Sequence, residues 1–409
     1  MNTGRLLSHG EVSHTIKTIK TLKVLSFTRL LKINFFLLIL FLASCFSENR
    51  KAESDGEIIP DFDSSIVSTK ISESVGFDIE YSNNYKSLSV FNPWQKSKGV
   101  VYRYLLVNRG APMPETDGYD EVIRIPVKNV VCLSTTHIGF ISAIDKTESI
   151  KGISGSGFVY SSDLKDARDV GYEDDLDYEL ILSLQPDVVF AYNISGDAVK
   201  YINKLKDLGI KVVVVGEYLE DSPLAKAEWI KFFSAFFNLE KEACDYFNLV
   251  TEEYYSLKKL TDSVAEKPDV LVGMPWKDAW HLPGGNSYQA MLIADAGGNY
   301  LWKENSGRES FILDLESIYK KAGKASVWIN PGQSASKEDM IETDERLNLF
   351  ESFKKGQIFN NNKRITKGGG MDYWESGTVN PHLVLKDLIH IFHPSLLPEH
   401  NLFYYQRIR

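Results

Sequence analysis

The sequence predicts an α/β protein made of two Rossmann-like lobes joined by a single long helix, with a β-strand extension ahead of the first lobe. Three observations carry that prediction. Residues 239–262, LEKEACDYFNLVTEEYYSLKKLTD, contain neither Gly nor Pro, and Ala243, Phe247, Val250, Tyr254 and Leu257 recur at helical spacing. On either side, short apolar runs of strand character alternate with helix-like segments, the signature of parallel sheets with crossover helices. A four-residue echo links the two sides. Leu176-Asp-Tyr-Glu179 and Leu313-Asp-Leu-Glu316 each put Asp at a helix N-cap and Glu in the first turn, ahead of an apolar strand. At about 1.5 Å per residue the long helix reaches roughly 35 Å, so it acts as a strut and leaves a cleft between the lobes.

The chain has 409 residues, 43% hydrophobic and 25% charged, enough for two domains. Its net charge of −9, with no basic stripe beyond the N-terminus, excludes nucleic acid as a partner. Residues 1–45 have the make-up of an export signal: Arg5, Lys17, Lys20, Lys23, Arg29 and Lys32 precede the apolar run 35–43, which is short for a bilayer span. Leu42-Ala-Ser-Cys45 resembles the bacterial lipobox, which implies lipidation of Cys45. Polar residues 46–76 then read as a flexible tether. Cys132 and Cys244 fit no metal spacing and read as small buried hydrophobes.

Within a β-strand extension at 77–124, residues 77–107 alternate apolar and polar around the turn signals Asn83-Asn84 and Asn92-Pro93, which predicts added antiparallel strands. The N-terminal lobe, 125–238, opens with a buried strand from Ile125 to Ser134. Gly152-Ile-Ser-Gly-Ser-Gly157 lacks the Gly-Lys-Ser of a phosphate loop and reads as a mobile loop over a cleft. A helix from Glu179, strand 188–191, helix 197–208 with Gly209 as its cap, and strand 211–215 follow. Ser222-Pro223 starts a helix whose Trp229, Phe232, Phe233, Phe236 and Phe237 form a core face. After the strut at 239–262, the C-terminal lobe, 263–409, repeats the logic. It runs strand 270–273, loop 274–285, helix 287–296, strand 327–329, helix 347–354, strand 357–359, a loop from Gly368 to Trp374, and a final helix 381–392.

In such sheets, ligand groups sit on loops at the carboxyl ends of strands. The candidates are His137, Tyr192, Trp276, Trp280, His281, Tyr288 and Trp374, whose aromatic members offer broad faces to a flat or bulky organic ligand. Arg308 is a candidate counter-charge for an anionic chelate. Bare zinc would need several His and carboxylates converging, and only His137 and His281 are placed for it, so no metal site and no cofactor are expected. A secreted metallohydrolase is the reading from a different class, resting on His382, His390 and His393. No HExxH occurs, and Gly152-Ile-Ser-Gly-Ser lacks the closing glycine of a nucleophile elbow.

Ser134-Thr-Thr-His137, Gly171 ahead of Leu-Asp-Tyr-Glu179, and Leu184-Gln-Pro-Asp-Val-Val-Phe-Ala-Tyr192 resemble the substrate-binding proteins of iron-siderophore and cobalamin ABC importers. So do Pro283-Gly-Gly-Asn-Ser-Tyr288, Asp295-Ala-Gly-Gly298 and Asp372-Tyr-Trp374. The resemblance runs from about Ile125 to the C-terminus. It implies two lobes that close only slightly about one rigid helix, and no enzymatic activity. It implies one surface Glu per lobe docking onto the permease subunits, by position Glu179 and Glu316. The implied ligand is an iron(III)-siderophore or similar bulky metal chelate, with cobalamin or haem as the alternative. The implied setting is the periplasm, as a monomer anchored to the membrane through lipidated Cys45.

Overall fold

The computed structural model describes residues 69–409, apart from Lys165, Glu173, Asp174, residues 193–198 and Asp278. The signal segment, Cys45 and most of the tether lie outside the described residues.

Strands Phe77–Tyr81, Tyr85–Phe91, Val101–Asn108 and Glu121–Ile125 form a four-stranded sheet in that order. The first three are antiparallel, but the fourth runs parallel to the third. The antiparallel strands expected over 77–107 are the first three; the fourth, which the sequence reading did not contain, can run parallel because residues 109–120 form a connection long enough to cross over, which a hairpin turn is not. The buried strand expected from Ile125 to Ser134 is also two strands. Pro126 has no N–H for a ladder, and the chain leaves one sheet at Ile125 and enters the next at Val130. On the extension sheet, buried Lys86 donates to Ala235 O at 2.7 Å and pairs with Glu240, which begins the strut.

The sheet of the N-terminal lobe is fully parallel, in the order Arg168–Asp169, Ile150–Ile153, Val130–Cys132, Val188–Ala191, Val212–Val214. Its first strand in sequence is central, so successive crossovers go first to one side and then to the other. The second lobe does the same, in the order Asn299–Tyr300, Asp269–Val272, Val327–Ile329, Ile358–Asn360, with Gln406–Arg407 added antiparallel at the edge. The loop expected at 274–285 instead holds two short strands, Pro275–Trp276 and Ala279–Leu282, which join Phe311–Leu313 in a small antiparallel sheet. A helix at Lys337–Thr343, absent from the sequence reading, is closed by a Ser336–Asp339 capping box.

The strut is a 22-residue helix, Glu240–Thr261, about 33 Å long. Its apolar stripe is divided between two cores. Ala243 and Phe247 pack with the aromatic helix Trp229–Ala235 in the N-terminal lobe. Val250, Tyr254 and Leu257 pack in the C-terminal core beside helix Pro381–Phe392. One continuous helix is therefore a structural member of both lobes.

The last residues of the expected tether are not free. Glu228 accepts the backbone N–H of Ser72, Glu73 and Ser74 at 2.7–2.9 Å, and Glu220 accepts that of Gly76 at 3.0 Å. Two buried carboxylates thus hold residues 72–76 against the lobe.

Candidate ligand-binding cleft

Each lobe has a switch point, where neighbouring strands send their following loops to opposite faces of the sheet. In the first lobe it lies between Val130–Cys132 and Val188–Ala191; in the second, between Asp269–Val272 and Val327–Ile329. A cleft of about 940 Å³ lies at both. Ser134–Thr136 and Tyr192 line it from the first switch point, and Gly273, Asn330 and Gln333 from the second. Ser134 caps helix Thr135–Ala143 by accepting the N–H of Thr136, and Ser287 caps helix Tyr288–Asp295 through Ala290. Both helices therefore begin at the cleft.

Of the candidate residues, Tyr192, His281, Tyr288, Arg308 and Trp374 line the cleft. Trp374 stands T-shaped on Tyr373 at 4.8 Å and is 38% exposed. The Tyr288 hydroxyl is pushed well above its ordinary pKa by burial, with Tyr373 adding to the effect. Arg308 is not a free counter-charge. Its Nε lies 2.9 Å from Asp221 Oδ1 and its Nη2 donates to Leu219 O, so it clasps one lobe to the other.

Three candidates sit elsewhere. His137 is buried against Phe190 and Phe233, and burial pushes its pKa down to about 4, so the ring is neutral. Trp280 is in the core, its Nε1 donating to Val272 O at 2.9 Å while its ring stacks on Trp328. Strand alternation explains this: in Ala279–Leu282, Trp280 and Leu282 face inward and His281 faces out, so adjacent residues cannot both face the ligand. Trp276 is 66% exposed beneath the Lys277 ammonium and does not line the cleft.

The sequence reading missed Glu217 and Lys226, which also line the cleft and are 3% and 6% exposed. Burial lowers the Lys226 pKa, and the charge of Glu217 opposes that shift. The available signal was a lysine within a helical run otherwise read as core. The late histidines, in turn, are engaged separately: His390 Nδ1 lies 2.9 Å from Leu397 O, and His393 Nε2 lies 3.0 Å from Gly297 O. Among the described residues no group of three or more His, Cys, Asp or Glu is placed to hold a metal ion.

A second seam joins the lobes on the strut side. Buried Glu375 accepts the N–H of Tyr160 at 2.7 Å and of Ser161 at 2.9 Å. Burial, with Asp372 adding, raises its pKa to about 7 despite those two donors. Gly139 lies under Glu375 O, where a Cβ would come within 2.1 Å. The Gly-rich loop expected to be mobile is held likewise: Thr366 Oγ1 donates to Gly157 O at 2.6 Å, and Gly370 abuts Phe158 O.

Glu179 and Glu316 are exposed at the second position of helices Tyr178–Ser183 and Leu315–Ala322, capped by Asp177 and Asp314. Each helix precedes the strand across its lobe's switch point. A helix that runs back before a parallel strand starts at the sheet's carboxyl end, so both glutamates lie at the cleft end of their lobes.

A family model for periplasmic binding proteins matches residues 130–364. An uncharacterized lipoprotein of Methanocaldococcus jannaschii is 31% identical over 315 residues, covering 71% of this chain and 72% of the relative. A second uncharacterized lipoprotein of that organism is 27% identical over 358 residues, covering 81% and 87%. Among solved structures, the periplasmic heme-binding protein RhuT of Roseiflexus sp. RS-1 is similar at a TM-score of 0.51 and 19% identity, over 66% of this chain and 99% of that one. The molybdate-binding protein MolA of Haemophilus influenzae is similar at 0.52 and 16%, over 68% and 89%. At such identities the likeness is one of fold.

Proposed function

The chain belongs to the family of periplasmic binding proteins, which bind solutes and are not enzymes, and from that premise we propose that it captures a bulky metal chelate for an ABC importer. The observation that carries the reading is the cleft itself, which lies at both switch points and is lined by the aromatic residues Tyr192, Tyr288 and Trp374. An iron(III)-siderophore suits a site of this breadth. Haem or cobalamin is the second reading, supported by His281, which is exposed on the cleft wall as an axial ligand would be. Titration of the protein with ferric chelates, haem and cobalamin, followed by tryptophan quenching and the visible spectrum, tests both. A haem spectrum shifted in wild type but not in His281→Ala would favour the second, and no binding by any of them would defeat the proposal.

Delivery rests on Glu179 and Glu316. Exposed ion pairs are weak singly, about 0.2–1 kcal/mol, but two engaged together act through effective concentration. Glu179→Ala/Glu316→Ala should keep ligand affinity and lose uptake in vesicles reconstituted with the transporter; undiminished uptake would remove the docking role. The setting is the cell envelope, with the lipid on Cys45, in keeping with relatives that are lipoproteins. Cys45→Ser should abolish labelling by a fatty-acid probe.

A further inference from the structure

One wall of the cleft is made by residues 217–221 and Lys226. It has little regular structure of its own, only a three-residue 3₁₀ turn at Glu217–Leu219 and the five-residue helix Pro223–Ala227. Pieces this short form few internal hydrogen bonds, so whatever braces them from outside sets their position. Two buried acids flank that helix, Glu220 and Glu228, which are 5% and 0% exposed. Both turn their carboxylates to residues 72–76, which do not line the cleft.

Glu228 accepts the N–H of Ser72, Glu73 and Ser74, and the Ser72 hydroxyl at 2.9 Å. Glu220 accepts the N–H of Gly76 and the Ser74 hydroxyl. Lys231 Nζ donates to Lys70 O at 2.9 Å, and Ile71 packs on the apolar core of the lobe. At Gly76 the fit is close, since a Cβ would come within 2.8 Å of Glu220 Oε1 and 2.9 Å of the Trp229 ring. Ser72 and Val75 are nevertheless exposed, so the segment lies on the surface. Each acid also keeps a partner inside the lobe. Lys231 Nζ lies 2.6 Å from Glu228 Oε1, and Trp229 Nε1 donates to Glu220 Oε1 at 2.8 Å. Release of the segment therefore leaves neither carboxylate without a donor, the condition that makes breaking a buried site costly.

The neighbours of Glu220 connect this brace to the other lobe. Leu219 O and the Asp221 carboxylate are the two groups that Arg308 grips across the cleft. The residue between them is the one bonded to Ser74 and Gly76.

We infer that residues 70–76 form a detachable strap that positions the cleft wall 217–226, and through it the Arg308 clasp, so that strap docking and closure of the cleft favour each other. The coupling is reciprocal. A docked strap holds the wall where Arg308 can reach it, and a molecule that closes the cleft holds the strap down. Glu220 and Glu228 are the positioning residues, and they act on the cleft through the backbone they fix.

Amide hydrogen exchange tests this without a ligand, in wild type, Gly76→Ala and Ser72→Pro/Ser74→Pro. The second variant removes two donors to Glu228 outright, so the strap is loosened whether or not the added methyl suffices. The hydrogen-bonded amides of Leu219, Glu220, Ala225 and Lys226 should exchange roughly tenfold faster in the variants. Those of strand Val188–Ala191 in the same lobe should keep their wild-type rates. Arg308→Ala should speed the wall amides in wild type and add little in either strap variant, where the clasp is already loose. Wall amides that keep wild-type rates while strap amides exchange faster would overturn the inference. An equal rise at 188–191 would overturn it too, since the strap would then serve general stability. A second arm rests on the chelate reading. Of a ferric trihydroxamate, haem and cyanocobalamin, whichever binds wild type should bind Gly76→Ala about tenfold more weakly, and should slow exchange at Glu73 and Ser74 in wild type. Equal affinity for both proteins would overturn the inference and leave the chelate reading intact. If none of the three binds wild type, the chelate reading falls and the exchange rates decide the strap alone.

Discussion

The lobes touch across the cleft in two ways that differ in burial. At one side Arg308 reaches Leu219 O and pairs with Asp221, the two charged side chains being 48% and 50% accessible. At the other, Glu375 is buried and receives two backbone N–H groups, while Gly139 and Gly370 let main chain from one lobe lie directly against the other. An exposed ion pair contributes about 0.2–1 kcal/mol and is screened by salt. A buried carboxylate bonded to amides leaves unsatisfied groups when it goes, at about 1–3 kcal/mol each. The cleft mouth is therefore clasped and the strut side is pinned. Opening should pivot about the Glu375 seam and release Arg308.

The largest test of that contrast is Gly139→Ala. Its Cβ would meet Glu375 O at 2.1 Å, backbone against side chain with no flexible end to yield. We expect a loss of about 3 kcal/mol or more in urea denaturation, with a wider scattering envelope as the lobes part. Unchanged stability would mean that the pinned seam does not exist.

Next in size is the pH dependence of Glu375. Its folded pKa is raised from 4.5 to about 7, so the charged form is the one disfavoured by folding. The penalty is absent below pH 4.5, grows as pH rises through the window and is complete above about pH 7, reaching at most roughly 3 kcal/mol at 1.36 kcal/mol per unit. Wild type should lose melting temperature across that window relative to Glu375→Gln. Parallel pH profiles would show that Glu375 does not titrate there.

The tryptophans sharpen the comparison from inside the cleft. Trp374→Ala should weaken chelate binding by about 1–3 kcal/mol, whereas Trp276→Ala, off the cleft wall, should leave affinity unchanged in the same calorimetric titration. The smallest effect belongs to the clasp. Arg308→Ala should cost about 0.2–1 kcal/mol of stability, less at high salt, and quicken ligand entry in stopped-flow. A larger loss would place both seams in one class.

Part of the site was legible because its signals are local. The Asp177-Tyr-Glu179 and Asp314-Leu-Glu316 helix starts and the strand run that ends before Tyr192 each follow from a few neighbouring residues, and the structure caps both helices at those Asp residues and ends the strand at Ala191. Trp280 shows what a loop reading loses. Without the antiparallel pairing to Phe311–Leu313, nothing says which of Trp280 and His281 faces inward. Lys226 was hidden by its company, since a run dense in Phe and Trp reads as core whatever charge it carries.

The sequence by itself determined the strut, the two alternating lobes and the equivalence of the two acid-bearing helices. Helical periodicity, caps and strand runs are short-range consequences of backbone geometry. Only the tertiary structure decided which surfaces meet. Glu375 binds the amide of Tyr160 from 215 residues away, Arg308 finds Asp221 across the cleft, and Glu217 Oε2 is left without a donor among the described residues because of what packs around it. Pairings at that distance are set by shape and burial after the elements have formed, and no local pattern encodes them.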